Sequence, residues 1–441
     1  MGDRSACYSE RSTGRGAGAN TPSSTAHWRV VSPRGYHAAM SKPVTDLIHH
    51  PYQPPAGFSA PQPGVFKAST VIFANVAAMR ARDWKHKLGY TYGLHGTPTT
   101  FTLEERIAAL EGGTHCILVP SGLAAIANVG MALLKTGDEV LLPDNVYGPN
   151  RALADGEFKA WGITHQLYDP LKPQDLEARI GPKTRLVWLE APGSVTMEFP
   201  DLPQLVRICR AKGVTCALDN TWGAGLAFSG FDLVPGEPLA VDICVHALTK
   251  YPSGGGDLLM GSIVTRDEKL HQRLKLTHMR LGWGIGGNDV EAVLRSLPSL
   301  ALRYRAHDGA ARQLARWLAG RKEIVQVLHP ALAGSPGHEH WKALCGEGGL
   351  AAGLFSVVFH ERFAAPQVDA FCDALELFKL GYSWGGPVSL VVPYDIPTMR
   401  SAQLGTWTHK GVLVRFSIGL EDPADLQADL AQALDALQRP G

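Results

Sequence analysis

The sequence runs to 441 residues, more than one ordinary hydrophobic core serves, and so implies two packed domains with appendages. Lys and Arg number 42 against 41 Asp and Glu; the resulting formal charge of +1 excludes a basic nucleic-acid footprint or a polybasic membrane patch. Hydrophobic residues make up 45% and charged residues 19%, an ordinary globular balance, and no apolar run approaches the roughly 20 residues of a membrane span.

The first 42 residues carry Arg4, Arg11, Arg15, Arg29 and Arg34 among Ser, Gly and Ala, with Asp3 and Glu10 interspersed. They lack the apolar core of a secretory signal and the amphipathic repeat of a transit peptide, so a disordered leader is expected. Residues 43–66 are rich in Pro and aromatic residues (His49-His50-Pro51-Tyr52-Gln53-Pro54-Pro55) and read as an extended arm, the start of an N-terminal segment spanning 43–100.

A regular alternation begins near residue 102. Thr102 with Glu105 forms a capping-box pattern that opens a helix, and Gly112-Gly113 closes it. Cys116–Val119 then reads as a buried strand, followed by a helix from about Gly122 to Lys135 that stops at Gly137. Further apolar strands are predicted at Glu139–Leu142, Ile163–Tyr168, Arg185–Glu190, Val214–Leu218, Val241–Val245 and Met260–Val264, with helix-length segments between most of them. That rhythm predicts an α/β domain over 101–290, a mostly parallel seven-stranded sheet covered by helices on both faces. Helix is expected from about Leu270 to Gly320, interrupted by Gly282–Gly287. Strands at Ile324–Val327, Leu354–Phe359 and Val412–Ser417 and a last helix after Asp422 make 291–441 a smaller α+β domain. No internal repeat is present.

The cysteines, Cys7, Cys116, Cys209, Cys216, Cys244, Cys345 and Cys372, are odd in number and scattered without a CxxC pair. They read as free thiols of a reducing compartment, hence a cytoplasmic protein. His338 and His340 stand in Gly337-His338-Glu339-His340-Trp341, but nothing completes a ligand set, and no metal is expected.

In an open parallel sheet, ligands bind beyond the carboxyl ends of the strands. Three groups fall there. Pro120-Ser121-Gly122-Leu123 joins a strand to a helix whose first amides suit a phosphate. Asp219-Asn220-Thr221-Trp222 follows one strand, and His246-Ala247-Leu248-Thr249-Lys250-Tyr251 follows another. Each alone has a plain explanation: a loop turn, a helix cap, a surface lysine. Together they meet one chemical need. A pyridinium cofactor wants a carboxylate on its ring nitrogen, a lysine for its aldehyde and a seat for its phosphate.

Further motifs carry a resemblance. They are Tyr92-Gly93-Leu94-His95-Gly96-Thr97-Pro98-Thr99, Leu110-Glu111-Gly112-Gly113, Glu190-Ala191-Pro192-Gly193-Ser194-Val195-Thr196-Met197-Glu198, Thr249-Lys250-Tyr251, His329-Pro330-Ala331-Leu332, Tyr382-Ser383-Trp384-Gly385-Gly386 and Arg415 to Asp422. In this order, from about Tyr92 to Asp429, the sequence resembles the Cys/Met-metabolism family of enzymes dependent on pyridoxal 5′-phosphate (PLP), of aspartate aminotransferase-like fold type I. The resemblance implies that Lys250 holds the cofactor as a Schiff base and shuttles protons, and that Asp219 pairs with the pyridine nitrogen. Gly122 and Leu123 give amides to the phosphate, with Ser121 beside them and the Thr249 hydroxyl helping. Tyr147 stacks on the ring near the substrate amine and is implied as a catalytic residue, helping Lys250 remove the α-proton or giving a proton to the leaving sulfur. Arg415 grips the substrate α-carboxylate as a bidentate fork, with Ser383 and Trp384 beside the substrate. Tyr92 reaches the phosphate in the neighbouring subunit, which implies a homodimer or homotetramer with shared active sites. Many relatives carry Arg where this chain has Leu94, and His95 is a candidate to stand in for it.

Bland readings exist for Tyr147, as a loop aromatic, and for Trp384, as core packing. Arg415 is different, because a cation in the apolar strand Val412-Leu413-Val414-Arg415-Phe416 requires a partner. The activity implied is β-elimination of cystathionine to homocysteine, pyruvate and ammonia in methionine synthesis. It is preferred on the Tyr382–Gly386 and Pro192–Glu198 stretches, which differ from the Ser-Leu-Gly-Gly and Pro-Thr-Asn-Pro versions of the γ-branch. The alternatives are a cysteine desulfhydrase or S-conjugate β-lyase, a γ-lyase or γ-synthase, a sulfhydrylase, or a PLP-bound regulator without turnover. A nucleotide-binding α/β protein is weaker, since no G-x-G-x-x-G opens the first βα unit.

Overall fold

A computed structural model describes residues 43–438 apart from 50, 51, 53–55, 59 and 88; the expected leader and Cys7 lie outside the described residues. All seven strands anticipated for the first sheet form: β1 (His115–Val119), β2 (Glu139–Pro143), β3 (Thr164–Tyr168), β4 (Thr184–Glu190), β5 (Thr215–Asp219), β6 (Ile243–His246) and β7 (Gly261–Thr265). Their spatial order is β1-β7-β6-β5-β4-β2-β3. Strands β2 to β6 pair in parallel, and β7 runs antiparallel to both β6 and β1.

The central strands are apolar on both sides because both sides are covered. Along β4, Val187 and Leu189 pack into one core while Leu186 and Trp188 pack into another. Helices Pro98–Glu111 and Leu202–Lys212 supply the first core, and helices Gly122–Leu133 and Glu268–Leu281 supply the second. Helix period and strand period therefore point their apolar residues at the same two layers.

Three local expectations shift. The helix read as opening at Thr102 starts at Pro98 instead. Thr97 caps it, accepting from Thr100 N at 3.2 Å while Thr100 Oγ1 accepts from Thr97 N at 2.6 Å. Pro98 fits the first helical turn because its missing N–H would be unpaired there anyway, and Thr102 becomes an interior residue whose hydroxyl donates to the Pro98 carbonyl at 2.8 Å. The helix from Gly122 ends at Leu133, two residues before Lys135. The arm is not extended throughout: Pro43–His49 is a short helix that buries Leu47. Residues 60–75 do lack regular structure. They are pinned where Phe66 N donates to Thr99 Oγ1 at 2.7 Å and Gly93 N donates to Ser69 O at 2.8 Å.

Helix Leu300–Ala319 leads into a second sheet, built from β8 (Ile324–Leu328), β9 (Leu354–Phe359), β10 (Lys379–Leu380), β11 (Leu390–Tyr394) and β12 (Leu413–Ser417) in the order β10-β11-β12-β9-β8. Asp422 caps the last long helix, Pro423–Leu434, by accepting from Ala424 N at 2.8 Å. No helix among the described residues is long and apolar enough to cross a membrane.

Candidate active site

The carboxyl ends of β4, β5 and β6 open onto a cleft of about 460 Å3, closed from the other side by residues of the second domain. Ser121, Gly122, Leu123, Tyr147, Asp219, Thr249, Lys250, Ser383, Trp384 and Arg415 all line it. Of the residues given a role from the sequence, Tyr92 and His95 stay outside; Tyr92 is exposed, with its hydroxyl 3.5 Å from Ser69 Oγ.

One end of the cleft is an anion seat. Ser121 is the N-cap of helix Gly122–Leu133, its Oγ accepting from Ala124 N at 3.0 Å. The amides of Gly122 and Leu123 are the first of that helix and have no carbonyl within it, so they face outward at the positive end of the dipole. The hydroxyl hydrogen of Ser121 also remains free to donate. The turn is packed too tightly for larger residues: a Cβ on Gly122 would lie 2.6 Å from that of Ala247, and one on Gly261 would lie 2.3 Å from the Ser121 carbonyl oxygen. Thr249, expected to help hold the phosphate, lines the cleft; its Oγ1 accepts from Met260 N at 3.0 Å and donates to Met260 O at 3.2 Å, which fastens the lysine turn to the segment before β7.

At the middle of the cleft, Asp219 ends β5. Its Oδ1 accepts from Thr221 N at 3.0 Å and from Thr221 Oγ1 at 2.5 Å, and that hydroxyl in turn accepts from Ala247 N at 2.9 Å. Burial raises the Asp219 carboxyl above its usual range, and the two hydrogen bonds from Thr221 work against that rise. Beside it stands a second carboxylate, the first residue of the Glu190–Glu198 motif. Glu190 ends β4 in register with Asp219. Its Oε2 accepts from Tyr147 N at 2.8 Å, and burial together with the Asp219 charge pushes its carboxyl well above the ordinary range. Two acidic residues at adjacent parallel strand ends were the available signal.

Lys250 follows β6 on the turn 247–253. Its Nζ donates to Ser383 Oγ at 3.0 Å and sits 5.4 Å from the centre of the Trp384 ring. Burial first, then the positive charge of Arg415, bring its amine down from 10.5 to about 8, with Asp219 opposing. Such an amine keeps a useful neutral fraction near neutral pH, as a nucleophilic lysine requires. Trp384 packs edge-on against Tyr251 at 5.5 Å, and Gly385, at φ +80°, lets the loop pass where a Cβ would lie 2.8 Å from Tyr251 N. Trp384 therefore serves both the core and the cleft.

Arg415, in β12, is only 8% exposed and pairs with no carboxylate among the described residues. It donates to the Ser383 carbonyl at 3.5 Å and lies 5.4 Å from the centre of the Tyr394 ring. Burial lowers its pKa, the mark of a cation short of a counter-charge. Tyr147 precedes helix Gly148–Leu153. Burial and the charges of Asp219 and Glu190 raise its phenol.

His95, the candidate to take the place of the arginine that many relatives carry, lies outside its own chain's cleft, as Tyr92 does. Its Nδ1 is 2.8 Å from Thr91 Oγ1, and burial with nearby Lys275 and Arg82 lowers its imidazole.

A second set of polar residues docks the C-terminal domain onto the rim. Arg400 Nε lies 3.0 Å from Asp144 Oδ2, and its Nη2 lies 2.8 Å from Glu198 Oε1. Asn145 Nδ2 donates to Glu198 at 2.9 Å. A Cβ on Gly193 would collide with that asparagine, so the rim here is closely fitted. Arg400 and Asp144 carried no signal in the sequence.

An anion seat, a buried carboxylate, an amine of lowered pKa and an aromatic side chain thus share one cleft, and these residues fit PLP. Comparison with known proteins agrees. The cystathionine beta-lyase of Bordetella avium is 36% identical over 407 residues, 90% of this chain and 98% of that protein. The cystathionine beta-lyase of Escherichia coli is 34% identical over 370 residues, 82% of this chain and 91% of that one. The crystal structure of metB from Corynebacterium glutamicum superposes with a TM-score of 0.80 at 28% identity, covering 91% of this chain and 100% of that chain. The family described as "Cys/Met metabolism PLP-dependent enzyme" matches residues 44–435, and the chain belongs to it.

Proposed function

We propose that this protein is a carbon–sulfur lyase that cleaves L-cystathionine by β-elimination, releasing L-homocysteine, pyruvate and ammonia on the route to methionine. The observation that carries the reading is Arg415: a buried guanidinium without a carboxylate, in the same cleft as the Lys250 amine. An α-amino acid brings the missing carboxylate to the arginine and an amine to the lysine end. The choice of thioether rests on the cystathionine beta-lyases that this chain resembles over most of its length.

Bound PLP supplies an aldehyde for amines and a protonated ring that draws electrons from the α-carbon. The protein's own residues do the rest. Asp219 holds the proton on the ring nitrogen, and Thr221 fixes the direction of its carboxylate. Gly122, Leu123 and Ser121 anchor the phosphate from the helix end. Arg415 fixes the substrate carboxylate and Tyr147 covers the ring. Lys250 is the base for the α-proton and returns a proton to the departing sulfur. Ser383 aims its Nζ.

Tyr92, exposed and outside its own cleft, supports a reading in which the 43–100 segment completes the site of a neighbouring subunit in a homodimer or homotetramer. The six described cysteines are all free, which supports a cytoplasmic location.

The decisive experiment is product analysis of the purified holoenzyme with cystathionine, run beside cysteine and cystine. Pyruvate with homocysteine is expected. Cysteine with 2-oxobutyrate overturns the β-lyase reading, and a visible cofactor band without turnover overturns the enzymatic one.

A further inference from the structure

Outside the cleft, a dense group of unpaired polar atoms lies beneath the segment 93–96. Helix Glu268–Leu281 carries His271, Lys275 and His278 four and three residues apart, on one face. They are 4%, 6% and 7% exposed. Lys275 Nζ, His271 Nδ1 and His278 Nε2 have no hydrogen-bond partner among the described residues. All three residues line one cavity of about 30 Å3, together with Leu94, His95 and Glu104.

Two lysines share one ion pair there. Lys87 and Lys275 stand on the Phe101 ring, with Nζ atoms 5.2 and 5.9 Å from its centre. Lys87 pairs with Glu104, whereas the Lys275 ammonium has no hydrogen-bonding partner among the described residues. Burial lowers Lys275, with the charges of Glu104 and Asp83 opposing that fall. Burial also brings His271 down to about 2 and lowers His278. What remains is a buried ammonium without a partner beside two unpaired imidazole nitrogens. An unpaired buried cation is costly, and a water molecule does not neutralise it.

We propose that this cavity binds a small inorganic anion of halide size, chloride being the available one, held by the Lys275 ammonium and the ring N–H groups of His271 and His278. The volume suits a small occupant. Bound there, the anion ties helix Glu268–Leu281 to Leu94 and His95, the segment that leads on from Tyr92.

Thermal unfolding of the holoenzyme in sodium chloride and in sodium gluconate, at one ionic strength, tests this. The midpoint is expected to rise with chloride and saturate about 2–4 °C above its gluconate value. In Lys275→Met that difference disappears. Equal midpoints in the two salts for the unaltered enzyme overturn the proposal. Should Lys275→Met fail to fold, crystals of the unaltered holoenzyme in sodium bromide answer directly. An anomalous peak among the three nitrogens supports the site, whereas a water or a neighbouring subunit's carboxylate there overturns it.

Discussion

Two arginines of the C-terminal domain, Arg400 and Arg415, are buried to nearly the same extent and sit in opposite electrostatic settings. The side chain of Arg400 is 6% exposed and meets two carboxylates, Asp144 at 3.0 Å and Glu198 at 2.8 Å, besides the Thr196 hydroxyl at 3.1 Å. Asp144 is saturated in turn by Ser401 N and the Thr406 hydroxyl. Arg415 has a carbonyl, an aromatic face and no carboxylate among the described residues. A buried charge with its partners in place is a joint between domains. A buried charge without one is a place reserved for something else, and its cost in the empty protein is recovered when an anionic group arrives.

The strongest test of that contrast starts beside Arg415. Lys250→Ala is expected to lower kcat by about 10⁴-fold or more and to remove the visible absorbance of the bound cofactor, while the unfolding midpoint moves little. Arg415→Met comes next. Loss of the carboxylate fork is expected to lower kcat/KM for cystathionine about 10³-fold, read by initial rates. Because an unpaired cation leaves the interior, thermal stability should hold or rise. A fall in midpoint with unchanged kinetics would make Arg415 a structural residue and erase the distinction.

Arg400→Met should show the reverse. Two buried carboxylates lose their partner, so about 3–5 kcal/mol of stability is expected to go, measured by urea unfolding, with KM nearly preserved in the folded fraction. A subunit-mixing experiment extends the same logic to Tyr92. Lys250→Ala and Tyr92→Ala homo-oligomers are each impaired, and unfolding and refolding them together should recover up to about a quarter of the normal activity if Tyr92 serves the adjacent site. No recovery would place Tyr92 at its own subunit's site and overturn the shared one.

The same contrast explains what could be read in advance. β4 and β5 announce themselves because a parallel strand buried on both faces is a continuous apolar run, and their last residues, Glu190 and Asp219, then fall at the cleft by construction. Arg415 was legible because a lone cation inside such a run has no local excuse. Arg400 was not, since its partners lie more than 200 positions away and nothing periodic links them. β11 escaped because Pro393 interrupts it, and β10 because two residues make no pattern. Thr102 misled for a related reason: two capping patterns stand in succession there, and Pro98 settles the competition in favour of Thr97.

The smallest expected effect joins the two arginines to the lysine. With its amine at about 8 instead of 10.5, Lys250 is mostly protonated at pH 6 and mostly neutral above 8. Only the neutral amine attacks an aldehyde. The rate at which cofactor-free enzyme takes up PLP should therefore climb about tenfold per pH unit up to about 8 and then level off. Burial is the main cause of that lowered value and the charge of Arg415 the second. Arg415→Met removes a like charge, so the break in the profile should move to higher pH. Arg400→Met removes a charge already balanced by Asp144 and Glu198, and the break should stay where it is. If both variants shift it equally, the two guanidinium groups act on Lys250 alike, and pairing does not separate them.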